Sequence, residues 1–340
     1  MRTGFLVLIM VLGLARAASG ADHSWTFQAA TAAAEIAFKV MEDFTKRIGP
    51  LTGGRIEITL LSVGSVVQYN ETLDAVGAGL LDGHITATVY FSGKDPAFAL
   101  LGDLIAAYDH PDQMLRFLDY GGGDALMDEL HAAHGVRYVG GACTGKEAFV
   151  AKLPIRSVEE FKGVKLRAPE GMAQDIFRVI GAAPANIPAA EVFPALDQGV
   201  VDAADWGTFA MNHQLGFHQR ARFPLYPGIH SMPVIEVAVN PARWDALSPD
   251  LQAILSAAVR DFARDLVQRL ELQDLADVAA ARADGVEVID WPQAERRKLR
   301  RIAAGVWRDW STRSPLAARA YQAQIDYLTG IGLIEAGDRR

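Results

Sequence analysis

The chain has 340 residues and a formal net charge of −8, and half of it is hydrophobic. That is ample for two cores and argues against a nucleic-acid partner. Its single cysteine, Cys143, excludes an intramolecular disulfide framework.

The N-terminus carries Arg2, then an apolar run from 5 to 14, then small residues including Ser19 and Ala21. This order predicts a secretory signal peptide over residues 1–21, with cleavage after Ala17 as an alternative site. The run is short for a membrane span, so an uncleaved anchor is the weaker reading. The expected address is the periplasm, and about 320 remaining residues suggest two domains.

In chain order, residues 25–30 read as a strand and 31–48 as a helix with Ile36, Val40, Met41 and Phe44 on one face. Ile56, Ile58 and Leu60 alternate as a strand after Gly53-Gly54. Residues 66–78 read as helical, 85–91 as a strand, 111–134 as mostly helical and 136–140 as a strand. Ser157 and Glu160 have the spacing of a capping box. A strand over 164–167, a helix over 171–180, a short strand over 185–187 and a helix over 191–198 follow. Ile235, Val237 and Val239 alternate as a returning strand. Ser248-Pro249-Asp250 starts a long helix whose apolar face can continue to Arg282. Helices over 293–310 and 315–330 end the chain.

This alternation predicts an α/β fold with a largely parallel sheet in each of two lobes. Residues 22–145 form the first part of lobe 1 and 146–232 form lobe 2. Residues 233–290 return to lobe 1 and supply the long helix, and 291–340 are C-terminal helices. One phrase occurs twice, at 75–83 and at 195–203: a helix end, a glycine stop, an apolar pair, an aspartate and a strand start. Chance similarity and a true structural echo both remain open. The two strands that follow end in aromatic residues, Tyr90-Phe91 and Trp206.

The chain has no Walker loop, no His-Glu-x-x-His, no paired-cysteine metal signature and no Gly-x-Ser-x-Gly elbow. Gly121-Gly122-Gly123 reads as a linker, and His213 and His218 read as packing residues. Cys143 has no helix start or basic partner nearby and reads as inert. Arg167 at a strand end can grip a carboxylate with two parallel hydrogen bonds, or pair with Glu170 or Asp175 on the surface. Asp205, beside Trp206, needs a partner if buried: a metal ion, a ligand hydroxyl or a backbone amide.

The segments 163–169, 181–184 and 191–203 together resemble the solute receptors of tripartite ATP-independent periplasmic (TRAP) transporters, the DctP-like family. The resemblance covers essentially the whole chain after the leader. Tyr90-Phe91-Ser92-Gly93-Lys94-Asp95-Pro96-Ala97-Phe98, Asp205-Trp206, Leu215-Gly216-Phe217-His218 and Tyr226-Pro227-Gly228 are similar to its branch that binds 2-oxo acids and related monocarboxylates.

The resemblance implies a two-lobed, type II-like periplasmic binding protein with hinge strands and a long helix spanning both lobes. It implies no catalysis. It makes Arg167 the carboxylate grip, with Tyr90, Phe91 and Trp206 as aromatic walls. In that branch a sodium or calcium ion can bridge ligand and protein. Glu147, after Thr144-Gly145, matches one ligand position and Asp205-Trp206 match the second. The third fails, because Ser231 stands where an acid is expected; Glu236 is the alternative acid. Without a metal, the same acids are expected to receive ligand hydroxyls. The implied partners are a small organic acid and the TRAP membrane permease subunits. A homodimer through the C-terminal helices, with Trp307, Trp310, Tyr321 and Tyr327, is a further implication; intrachain packing is the alternative. A metal-assisted periplasmic enzyme and a sensory receptor are the competing functions for the same cleft.

Overall fold

The computed structural model describes residues 21–188 and 191–335. The expected signal peptide lies outside the described residues, apart from Ala21. The strands are β1 His23–Ala29, β2 Ile56–Leu61, β3 Gly83–Ala87, β4 Arg137–Cys143, β5 Ala148–Ala151, β6 Lys165–Arg167, β7 Ala183–Ala185, β8 Ala203–Gly207 and β9 Val234–Val239. They form two sheets, ordered β2-β1-β3-β9-β4 and β5-β8-β6-β7. In the first, β1 lies parallel to β2 and β3, while β9 runs antiparallel to both its neighbours. In the second, β6 is parallel to β7 and β8, and β5 is antiparallel to β8. The chain leaves the first sheet after Cys143 and returns to it as β9, so two strand connections cross between the lobes, an arrangement suited to a hinge.

The helix Pro249–Ala283 joins the lobes. Its first half packs on β4 and on helix Ile36–Leu51, where Phe262 stacks on Phe44 at 4.6 Å. Its second half reaches lobe 2. There Asp274 Oδ1 accepts the Ala210 N–H at 2.7 Å, at the start of helix Phe209–Gln214. An acid at a helix N-terminus meets unpaired N–H groups and the positive end of the dipole. No helix among the described residues is long and apolar enough to cross a membrane.

The repeated phrase is a structural repeat. Gly79 and Gly199 both take left-handed conformations, with φ of 75° and 74°. The N–H groups of Leu80 and Leu81 bond the Ala75 carbonyl, and those of Val200 and Val201 bond the Ala195 carbonyl. Leu80 and Val200 are exposed, whereas Leu81 and Val201 are buried. The aspartates then do the same task. Asp82 accepts the Thr26 N–H on Oδ2 and donates its own N–H to the Thr26 carbonyl. Asp202 makes the same pair of bonds with Lys165.

Several local expectations are corrected. The strand over 85–91 ends at Ala87 and continues as a 3₁₀ turn, Thr88–Phe91. The helix over 111–134 is two helices, Pro111–Tyr120 and Gly123–Ala132, broken where Gly122 has φ of 91°. Ser157 does not cap with its side chain. The Val158 N–H bonds Glu295, and Glu160 reaches back to the Arg156 N–H instead. The C-terminal aromatics also bond within the chain, which does not contradict the expected homodimer: Trp307 donates to the Ile105 carbonyl, Trp310 to Asp175 and Tyr327 to the Gln113 carbonyl. Tyr321 packs partly buried on the same core.

Candidate functional site

Tips of both sheets converge on one polar cluster. Arg167 ends β6, Asp205 and Trp206 lie in β8, and Glu147 immediately precedes β5. Arg167 Nη1 donates to the Asp205 main-chain carbonyl at 2.6 Å, and Nε points to the Ile187 carbonyl at 3.4 Å. Its guanidinium lies over the Trp206 ring, 4.9 Å from the centroid, and Trp206 is braced edge-on by Phe217. Among the described residues no carboxylate lies within ion-pairing distance of Arg167; Asp175 pairs with Arg178 and Arg313. The surface-pair alternative therefore does not hold. Tyr90, in the turn after β3, is half-exposed and edge-on to Tyr69 at 4.7 Å. Burial of its hydroxyl, then the Glu147 charge, push its pKa up, so it stays a hydrogen-bonding phenol.

Asp205 is buried and meets the imidazole of His230, with Oδ1 2.8 Å from Nε2. Burial works to raise its pKa. The His230 and Arg167 charges and the hydrogen bonds from His230 and Glu147 outweigh it, and Asp205 is held below the usual carboxylate range. Glu147 shares a hydrogen bond with Asp205. Burial, then the Asp205 and Asp103 charges, push its pKa well up. One proton between two carboxyls is what close like charges require. Asp103 completes the acids. Its Oδ2 accepts the Ser231 hydroxyl at 2.6 Å and its Oδ1 the Met232 N–H at 3.1 Å. Burial still pushes it up to about 7.

Glu147, Asp205 and His230 each present a ligand atom within 4.8 Å of one another, a group that could hold a metal ion. The other expected site residues stand elsewhere. Glu236 lies in β9 inside lobe 1, fully buried, 2.8 Å from His84 and 2.9 Å from His131, and it accepts the Thr88 hydroxyl at 2.6 Å. Three partners already surround its carboxylate, so it does not replace the missing acid. Phe91 is not a cleft wall. It is buried in the core, stacked on His84 and edge-on to Phe98, because the 3₁₀ turn rotates it inward while Tyr90 stays outside.

His230 and Asp103 are the members that sequence reasoning missed. The signal for Asp103 is a lone acid in an apolar run from 97 to 107. His230 adjoins the position where an acid was sought, but its partner is 25 residues away.

Residues 27–313 match the family described as bacterial extracellular solute-binding protein, family 7 (DctP). A monocarboxylate 2-oxoacid-binding periplasmic protein of Nostoc is 26% identical over 283 residues, 83% of this chain and 77% of that protein. A TRAP periplasmic solute-binding protein of Rhodobacter sphaeroides, solved in an apo open state, is 42% identical and superposes with a TM-score of 0.81. The alignment covers 92% of this chain and 100% of that one. One from Colwellia psychrerythraea, solved with calcium and pyruvate, is 23% identical with a TM-score of 0.81, covering 91% and 95%. The chain belongs to the DctP family of TRAP periplasmic solute-binding proteins, whose members are transport components and not enzymes.

Proposed function

We propose that the cleft captures a small monocarboxylate of the 2-oxo acid class and presents it to the membrane subunits of a TRAP transporter. The observation that carries this reading is Arg167. Its guanidinium is anchored on two carbonyls and lies over an indole, yet no carboxylate pairs with it among the described residues. A preset guanidinium of this kind suits a ligand carboxylate, which is costly to bury unpaired. Trp206 and Tyr90 would cover the apolar part of the guest. Delivery to the periplasm by cleavage of residues 1–21 belongs to the same reading.

The expected bridging sodium or calcium ion is a poor match for these residues. Calcium takes roughly six to eight oxygens, and hard cations in general prefer oxygen to imidazole nitrogen. Here the candidate group is two carboxylates and an imidazole, Ser231 gives its hydroxyl to Asp103, and Glu236 is occupied elsewhere.

The test is a thermal-shift screen of organic acids, since a ligand of the native state raises the melting temperature. Pyruvate and longer 2-oxo acids should stabilise the protein, and Arg167→Ala should remove the shift. A shift that survives this substitution would refute the assignment.

A further inference from the structure

We infer that in this chain the His230 imidazole holds the place of a bridging cation, so that the cleft takes its organic anion without a metal. The inference rests on the anion-capture reading above and deepens it. A carboxyl pair that shares one proton still carries a negative charge, and an incoming carboxylate needs a positive or hydrogen-donating group to offset it. A hard metal ion is one solution. The structure contains another.

The His230 ring is built into lobe 2 and cannot easily turn away. It stands edge-on to Phe149 at 5.7 Å and tilted against Phe177 at 5.7 Å, with its side chain 1% exposed. Its Nδ1 has no hydrogen-bond partner among the described residues, so Asp205 is the ring's polar anchor. An ionised carboxylate only accepts, so Nε2 carries the hydrogen. That bond occupies one of the two Asp205 oxygens that a cation could take.

The neighbouring positions agree. Ser231 brings a hydroxyl where a third acid would complete a cation site, and that hydroxyl turns to Asp103. The Glu147 N–H bonds the Ser231 carbonyl at 3.0 Å, which ties the His230 segment to the acid it faces. Arg167 supplies a cationic group at the Asp205 main-chain carbonyl. His230 is thus a positioning residue: it orients Asp205 and, through it, Glu147.

The test begins with the wild-type protein stripped of metal by a chelator. Calcium, sodium and zinc chlorides are each titrated into the ligand-free protein by calorimetry and followed by melting temperature. No uptake is expected at this cluster; specific uptake abolished by Asp205→Asn would overturn the inference. Pyruvate is then titrated with chelator present and with added calcium or sodium. Affinities within about twofold are expected, and a gain of about tenfold or more on adding either ion would overturn it. His230→Ala should bind pyruvate at least about tenfold more weakly in chelator and should gain a calcium response. Undiminished binding by that variant would also overturn it, and the wild-type arms stand even if the variant does not fold. A calcium requirement combined with loss of binding in Arg167→Ala would remove this inference alone. Failure of every organic acid would remove the anion-capture reading, and the ligand-free titrations would still decide the cation.

Discussion

Gly228 lies so close to Glu147 that a β-carbon at position 228 would sit 1.7 Å from the Glu147 carbonyl oxygen. No rotation relieves a clash with backbone. The contact fixes the height of the Glu147 segment against the segment that carries His230. Gly228→Ala should therefore lower stability by about 1–3 kcal/mol and weaken ligand capture as well. Urea unfolding and pyruvate calorimetry check both; a variant with wild-type values on both would show that the contact does not set the site.

Gly305 is the opposite case. It lies exposed in helix Gln293–Ser311, and a β-carbon there would meet nothing within 4 Å. Gly305→Ala should stabilise the protein by about 0.5–1 kcal/mol through helix propensity and leave ligand affinity unchanged. A lower urea midpoint would contradict this.

Arg167→Lys keeps the charge and loses the fork. Arg167 already spends Nη1 on the Asp205 carbonyl, so an ammonium cannot both hold that carbonyl and clasp a carboxylate side-on. The expected loss of pyruvate affinity is tenfold or more, about 1.4 kcal/mol, with little change in melting temperature. Equal affinities by calorimetry would argue for simple charge attraction.

Glu236 is the only carboxylate between two buried imidazoles among the described residues, His84 and His131. Burial opposes the charge on His131, but Glu236 and the Met127 carbonyl outweigh it and raise its pKa. Burial likewise opposes charge on Glu236, and the two imidazoles hold its pKa far below the usual range. Glu236→Gln leaves His131 without its counter-charge and should cost on the order of 3 kcal/mol. The loss should deepen as pH falls from 7 to 5.5, where histidine charges more readily. Urea midpoints at the two pH values measure it; no pH dependence beyond wild type would contradict it.

Asp274, on the long helix, supplies a pH dependence of its own. Burial pushes its pKa up to about 7, against the lowering effect of the bonds from Ala210, Thr208 and Phe209. A carboxyl whose folded pKa exceeds its unfolded value favours folding when protonated. Its contribution is complete below about pH 4 and is lost as pH rises through about 7. Asp274→Asn should thus flatten the fall in melting temperature between pH 5.5 and 8. An unchanged slope would mean that Asp274 is ionised throughout.

Much of the fold was legible because glycine stops and apolar alternation mark it directly. Both repeat copies, the returning strand and the long helix were readable in this way. Helix Ala97–Gly102 was not, because an unbroken apolar run carries no period. Strand β5 was too short to signal itself. The Ser157 box failed because the Glu160 N–H bonds the Ser157 main-chain carbonyl and the Glu160 carboxylate goes to the Arg156 N–H, so neither half of the box closes. At the site, Arg167, Asp205 and Glu147 were legible as residues at strand ends within a family pattern. The partners that decide their chemistry were not: Ser231 finds Asp103 across 128 residues, and only folding brings them together.

Asp82 and Asp202 bind the main chains of neighbouring parallel strands, so each strand is moored through groups that every residue possesses. The side chains downstream, around Tyr90 in one half and at Asp205 and Trp206 in the other, are thereby not needed to moor the strands that carry them. Descendants of such a chain can trade those tips for others and acquire a new diet while the scaffold beneath them stays still.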